Sequence, residues 1–168
     1  LNNIRVSGGV AHPQRLIREF RLTRGAPKAC ARLKQAGYLL VVVTNQPDVS
    51  RGTQTRRRVE RINAILSAHL AVTQVLTCYH DNSDGCDCRK PNPGLILKAA
   101  RRWKIDLSRS FMVGDRWSDV KAGRAAGVRS ILIARSYSRP ERCRPDWTAR
   151  TLPEAVRIIL RCSREEVS

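Results

Sequence analysis

Apolar and polar positions along this chain alternate between two periods, and that rhythm predicts the architecture. Residues 26–36 show helical spacing, with Ala29, Leu33 and Ala36 on one face, Pro27 in the first turn and Gly37 as the stop. Residues 38–44 form a continuous β-branched, apolar run, the mark of a strand covered on both faces. Residues 54–70 predict a helix with Val59, Ile62, Ile65 and Leu66 inward, and residues 74–78 a short strand. Helices are predicted at 93–103, 118–126 and 152–162, and strands at 110–113 and 130–134. The opening to residue 23 reads as a loop with a short helical piece, and 135–150 as an irregular, basic, proline-containing stretch.

Strands alternating with helices predict one α/β domain over residues 1–168, an open, mostly parallel, Rossmann-like sheet with helices on both faces and no large cap domain. In such sheets ligands sit beyond the carboxyl ends of the strands. Three groups of chemically capable residues fall there. Thr44-Asn45-Gln46 ends the first predicted strand, residues 78–90 follow the second, and Gly114-Asp115 with Asp119 turns out of the third into a helix.

Between Cys78 and Pro91 lies the densest chemistry. Cys78 and His80 are two apart, as are Cys86 and Cys88, so each pair presents two side chains to one side of an extended segment. Folded together at Gly85, they form a Cys3His set suited to a structural tetrahedral Zn2+. Four reduced, unrelated side chains are the alternative. Asp115 and Asp119 suit a hard cation such as Mg2+, or simply the first turn of a helix. Thr44 and Asn45 offer a hydroxyl and an amide to a phosphate oxygen, or an ordinary strand-ending turn. Lys90 adds a cation near the same edge. Together they describe magnesium-assisted phosphoryl transfer at a site without a nucleophile.

Charge changes this picture little. Lys and Arg number 32 against 14 Asp and Glu, a net charge of +18. Arginines are spread through nearly every segment and aromatics are only 5%, so no base-stacking platform emerges; a nucleic-acid partner is weighed and not favoured. Such a field would also attract small anionic substrates. No apolar run approaches a membrane span. Cys30, Cys143 and Cys162 lie scattered, which fits a reducing cytoplasm better than a disulfide framework. A cytoplasmic monomer is expected.

These blocks resemble the haloacid dehalogenase (HAD) superfamily, in the zinc-containing group that includes the heptose-bisphosphate phosphatases and histidinol-phosphatases. Val42-Val43-Thr44-Asn45-Gln46, Cys78-x-His80, Cys86-Asp87-Cys88-Arg89-Lys90-Pro91-x-Pro93-Gly94 and Met112-Val113-Gly114-Asp115-x3-Asp119 match its motifs in order. The resemblance implies that Thr44 and Asn45 hold the phosphoryl group, Lys90 screens it, Asp115 ligates Mg2+ with Asp119 in support, and Gln46 and Arg89 orient the substrate. It implies a small sugar bisphosphate, of the heptose 1,7-bisphosphate kind, as substrate. Histidinol phosphate is the alternative, with a zinc-stabilised nucleic-acid-binding module or a polynucleotide 3′-phosphatase as readings of another class. The family's first motif, a central strand ending in Asp-x-Asp, has no counterpart here; Leu1-Asn2 resembles the residues just past that motif. That strand is expected to be missing between 38–44 and 110–113, and the 168-residue chain is expected to be inactive without it.

Overall fold

A computed structural model describes residues 5–7, 10–12 and 20–165. Within the opening read as a loop with a short helical piece, β1 (Arg5–Ser7) and β2 (Val10–His12) pair as an antiparallel hairpin; the part of that expectation falling on residues 1–4, 8–9 and 13–19 lies outside the described residues. The elements α1 (Ala26–Gln35), β3 (Val41–Asn45), α2 (Arg56–Leu70), β4 (Gln74–Cys78) and α3 (Gly94–Trp103) follow. The chain continues through β5 (Phe111–Gly114), α4 (Trp117–Ala125), β6 (Arg129–Ile133), β7 (Trp147–Ala149) and α5 (Leu152–Glu165).

β3 pairs with β4, and β5 with β6 and β6 with β7, every pairing parallel. The α/β architecture is the one expected. Its strand β7 lies inside the stretch read as irregular, where a three-residue strand among arginines and prolines leaves almost no period to detect. The strand expected at 38–44 begins later, at Val41, and Leu39 is exposed.

Alternate strand residues face opposite layers. Leu40, Val42, Val75, Phe111 and Val113 pack with the core built from α1, α2 and α5. Val41, Val43, Leu76 and Cys78 pack with Leu95 and Ala99 of α3. Both faces are therefore covered, as parallel sheets require. Helix α5 carries much of the first core, burying Ala155, Val156 and Ile159 at 3% exposure or less.

The sheet is in two parts. Among the described residues, β3 and β5 share no ladder, so a two-stranded and a three-stranded piece stand side by side. Between them lies an apolar cavity of about 220 Å³, lined by Leu40 and Val43 on one side, Met112 and Val113 on the other, and Ile96 and Ile159 from the covering helices.

Candidate active site

Lys90 joins the two parts of the sheet. Its Nζ donates to the carbonyl oxygen of Val43, in β3, at 2.6 Å and lies 2.7 Å from Asp119 Oδ1, in the first turn of α4. Both side chains are largely buried, at 11% and 7% exposure, so the pair is nearly desolvated. Asp119 Oδ2 accepts from the Arg116 backbone N–H at 3.0 Å, which closes the first turn of α4. Asp119 approaches so closely that a Cβ on Gly114 would collide with its carboxyl group; only glycine fits there.

The backbone of Lys90 is held just as firmly. Asn45 donates from its amide nitrogen to the Lys90 carbonyl oxygen at 3.0 Å and accepts the Lys90 N–H at 3.1 Å. The Asn45 side chain is thus a two-point clamp. Its neighbour Thr44 keeps its hydroxyl on the strand end, accepting from the Gln46 amide at 3.3 Å. Gln46 N–H donates to the Cys78 carbonyl oxygen at 2.7 Å, extending the β3–β4 pairing past both strands. Asp115, at the carboxyl end of β5, accepts a hydrogen bond from the Tyr137 hydroxyl at 2.7 Å on Oδ2; among the described residues its other oxygen has no donor. Burial, then the adjacent carboxylate, pushes the Tyr137 hydroxyl above its ordinary pKa.

The four expected soft donors meet in one place. The Cys78, His80, Cys86 and Cys88 ligand atoms all lie within 4.8 Å of one another. Individual separations are 3.7 Å for Cys78 Sγ to His80 Nδ1 and to Cys86 Sγ, 3.5 Å for Cys86 to Cys88, and 3.3 Å for His80 Nδ1 to Cys88 Sγ. Tetrahedral zinc, with Zn–S about 2.3 Å and Zn–N about 2.0 Å, sets donor–donor edges of roughly 3.5 to 3.8 Å. The cluster is close to that shape. Its thiols titrate as a set. Burial works against ionising Cys86, but hydrogen bonds from Cys88, the Arg89 amide and Cys78 draw it down to about 7; burial and then its two sulfur neighbours push Cys88 up to about 12.

The loop carrying these donors is braced from outside. Arg51 donates to Asp81 from Nε and Nη2 at 2.6 and 2.7 Å, a bidentate pair tying the β3–α2 connection to the loop. Those hydrogen bonds, with the Asn82 amide, lower Asp81 to about 2. Arg89, expected at the substrate, is turned into the same loop, donating to Asn82 Oδ1 at 2.7 Å and the His80 carbonyl oxygen at 3.1 Å. Sequence reasoning passed over Arg51, Asp81, Tyr137 and Ser138. Arg51, Tyr137 and Ser138 stand apart from every motif, and Asp81, though inside the Cys/His loop, has its partner Arg51 30 residues away, so only tertiary contacts reveal these roles.

Comparison with known proteins gives the family of this chain. Residues 87–155 match a family model described as HAD-hydrolase-like. A D-glycero-β-D-manno-heptose-1,7-bisphosphate 7-phosphatase from Helicobacter pylori (strain J99) is 36% identical, over 68% of this chain and 70% of its own. The chain belongs to this family of HAD-like phosphatases. A second relative of the same name, from Yersinia pestis, is 29% identical over 93% of this chain and 89% of its own. Among solved structures, D,D-heptose 1,7-bisphosphate phosphatase from B. bronchiseptica, complexed with magnesium and phosphate, is 30% identical with a TM-score of 0.75 over 86% of each chain. A HAD-like phosphatase structure from Mesorhizobium loti aligns with a TM-score of 0.70 at 26% identity, covering 87% of this chain and 77% of that one. The two solved structures thus share this fold over most of the chain.

Proposed function

We propose that this chain forms the phosphate-handling edge of a phosphatase that hydrolyses a phosphomonoester of a small sugar bisphosphate, D-glycero-D-manno-heptose 1,7-bisphosphate at its C7 phosphate. The observation that carries this reading is Lys90, a nearly buried cation held between the end of β3 and the start of α4, on the edge that also bears Thr44 and Asp115. The likeness to relatives of that name supports the substrate. The heptose-bisphosphate phosphatase names of these relatives favour that substrate over histidinol phosphate.

Each residue then has a role set by its chemistry. The Thr44 hydroxyl and the Asn45 backbone N–H bind phosphoryl oxygens, while the Asn45 side chain keeps Lys90 in register. Lys90 offsets the charge of the transferring group from a desolvated position, where its field is strongest. Asp115, with a carboxylate oxygen to spare, holds Mg2+, and Asp119 supports it by fixing Lys90 and the α4 turn. Bound Mg2+ supplies charge neutralisation at the phosphate oxygens. Gln46 borders the site and shapes substrate access, while Arg89 braces the loop from its bonds to Asn82 and the His80 carbonyl oxygen. Hydrolysis through an aspartyl-phosphate needs an attacking carboxylate, and none of the described residues at this edge is assigned that role. The Cys78, His80, Cys86 and Cys88 set holds Zn2+ and braces the loop that delivers Lys90.

The test is a phosphate-release screen with Mg2+, using this chain preceded by an apolar strand ending in Asp-x-Asp-Gly. Substrates are the heptose bisphosphate, histidinol phosphate and a 3′-phosphorylated DNA end. Release from the heptose bisphosphate at least tenfold faster than from the others is expected. Preference for either competitor would overturn the substrate, and no release from any would overturn the activity.

A further inference from the structure

Asp115 is not left to find its own orientation. Residues 134–139, which follow β6, fold over it from both sides. Ser138, only 1% exposed, donates from Oγ to the Asp115 carbonyl oxygen at 2.6 Å and accepts the Arg135 N–H at 2.8 Å. Its own carbonyl oxygen accepts the Trp117 N–H at 3.1 Å. This loop is therefore pinned to the backbone at Asp115 and two residues beyond it. Pinned so, it presents the Tyr137 hydroxyl to Asp115 Oδ2 at 2.7 Å. The guanidinium of Arg116 lies over the Tyr137 ring, 5.7 Å from its centre, and restrains the ring's tilt.

We infer that Tyr137 is a positioning residue for Asp115, its hydroxyl fixing one carboxylate oxygen so that the other is left for a divalent cation. The inference rests on the reading of Asp115 as a cation ligand. The two acidic residues of this turn have separate duties. Asp119 is buried and already spent on Lys90 and the Arg116 N–H, so it ties the fold together. Asp115 is half-buried, and its side chain takes one hydrogen bond, from Tyr137. Among the described residues no other group bonds that carboxylate, so losing the donor releases its side-chain torsions. Groups that orient a ligand to a metal typically contribute about 10- to 100-fold in affinity. The phenol achieves this without adding charge, so the carboxylate keeps its full attraction for a cation.

The experiment compares the full chain with Tyr137→Phe, titrating each with Mg2+ alone by calorimetry and solving the crystal structure of the variant. Far-UV circular dichroism is expected to be unchanged, the Mg2+ dissociation constant to rise about tenfold or more, and the Asp115 carboxylate to turn away from its present orientation. In an Asp115→Asn background the same substitution should change nothing further. A dissociation constant within about twofold of the parent, with Asp115 unmoved, would overturn the inference, as would loss of the fold in Tyr137→Phe, which would make the hydroxyl structural. If the parent chain takes up no Mg2+, the cation reading fails by itself. The crystal structure then still decides the positioning role, with an unmoved Asp115 counting against it.

Discussion

Lys90 and Asp119 are partners across a divided sheet: the ammonium of one lies 2.7 Å from the carboxylate of the other, and the same ammonium bonds the Val43 carbonyl oxygen. The pair is nearly dry, so its energetics are those of a buried charge. Breaking one side leaves the other uncompensated.

Lys90→Ala should therefore destabilise the protein by about 3–5 kcal/mol, read as a lower urea midpoint at unchanged slope. Asp119→Asn keeps an acceptor for the Arg116 N–H and should cost less than Lys90→Ala. Losses of about 1 kcal/mol or less in both variants would mean that the ion pair does not dominate this contact.

Gly114→Ala tests the close approach behind that pair. The added methyl would collide with the Asp119 carboxyl group, forcing it away from Lys90 at a cost of about 1–3 kcal/mol. Thermal unfolding checks this. An unchanged midpoint would show that the turn has room to give.

Metal removal tests the loop. The purified chain should carry one zinc, measured by atomic emission, and stripping it with a strong chelator should speed amide exchange across residues 78–90 while leaving α5 protected. Cys88→Ser should reproduce that pattern without chelator. Uniform loss of protection across the chain would instead make the metal a global determinant of the fold.

The pH dependence has a defined sign at Asp146. Burial opposes its ionised form, yet the Ser130 hydroxyl and N–H, each at 2.7 Å, with the Arg124 charge, hold its carboxyl below the ordinary value. A carboxyl lowered on folding contributes stability that is complete above its unfolded pKa, about 3.9, and disappears as pH falls through the folded value. Asp146→Asn should flatten the acid limb of the stability curve below about pH 4, with little change in its slope near neutrality. An unaltered acid limb would rule out this contribution.

Much of this architecture is written locally, and the exceptions have physical reasons. β4 spans the residues its pattern predicts, because a short strand between a helix and a polar loop has two clear borders. β3 starts three residues late, since a continuous apolar run cannot mark its own beginning; the ladder starts where Val41 meets Gln74. β1, β2 and β7 are three residues each and carry too little period to see. The soft-donor cluster was legible because its four members are close in sequence. The Asn45 clamp on Lys90 spans 45 residues, and the Tyr137 bond to Asp115 spans 22; both depend on the sheet bringing distant loops to one edge.

The most direct measurement is a crystal structure of the full chain grown with Mg2+ and inorganic phosphate. The account predicts a phosphate about 3 Å from Lys90 Nζ and the Thr44 hydroxyl, with a cation on the free oxygen of Asp115. An ordered phosphate bound elsewhere, or Lys90 and Asp115 turned to opposite sides of the molecule, would contradict it.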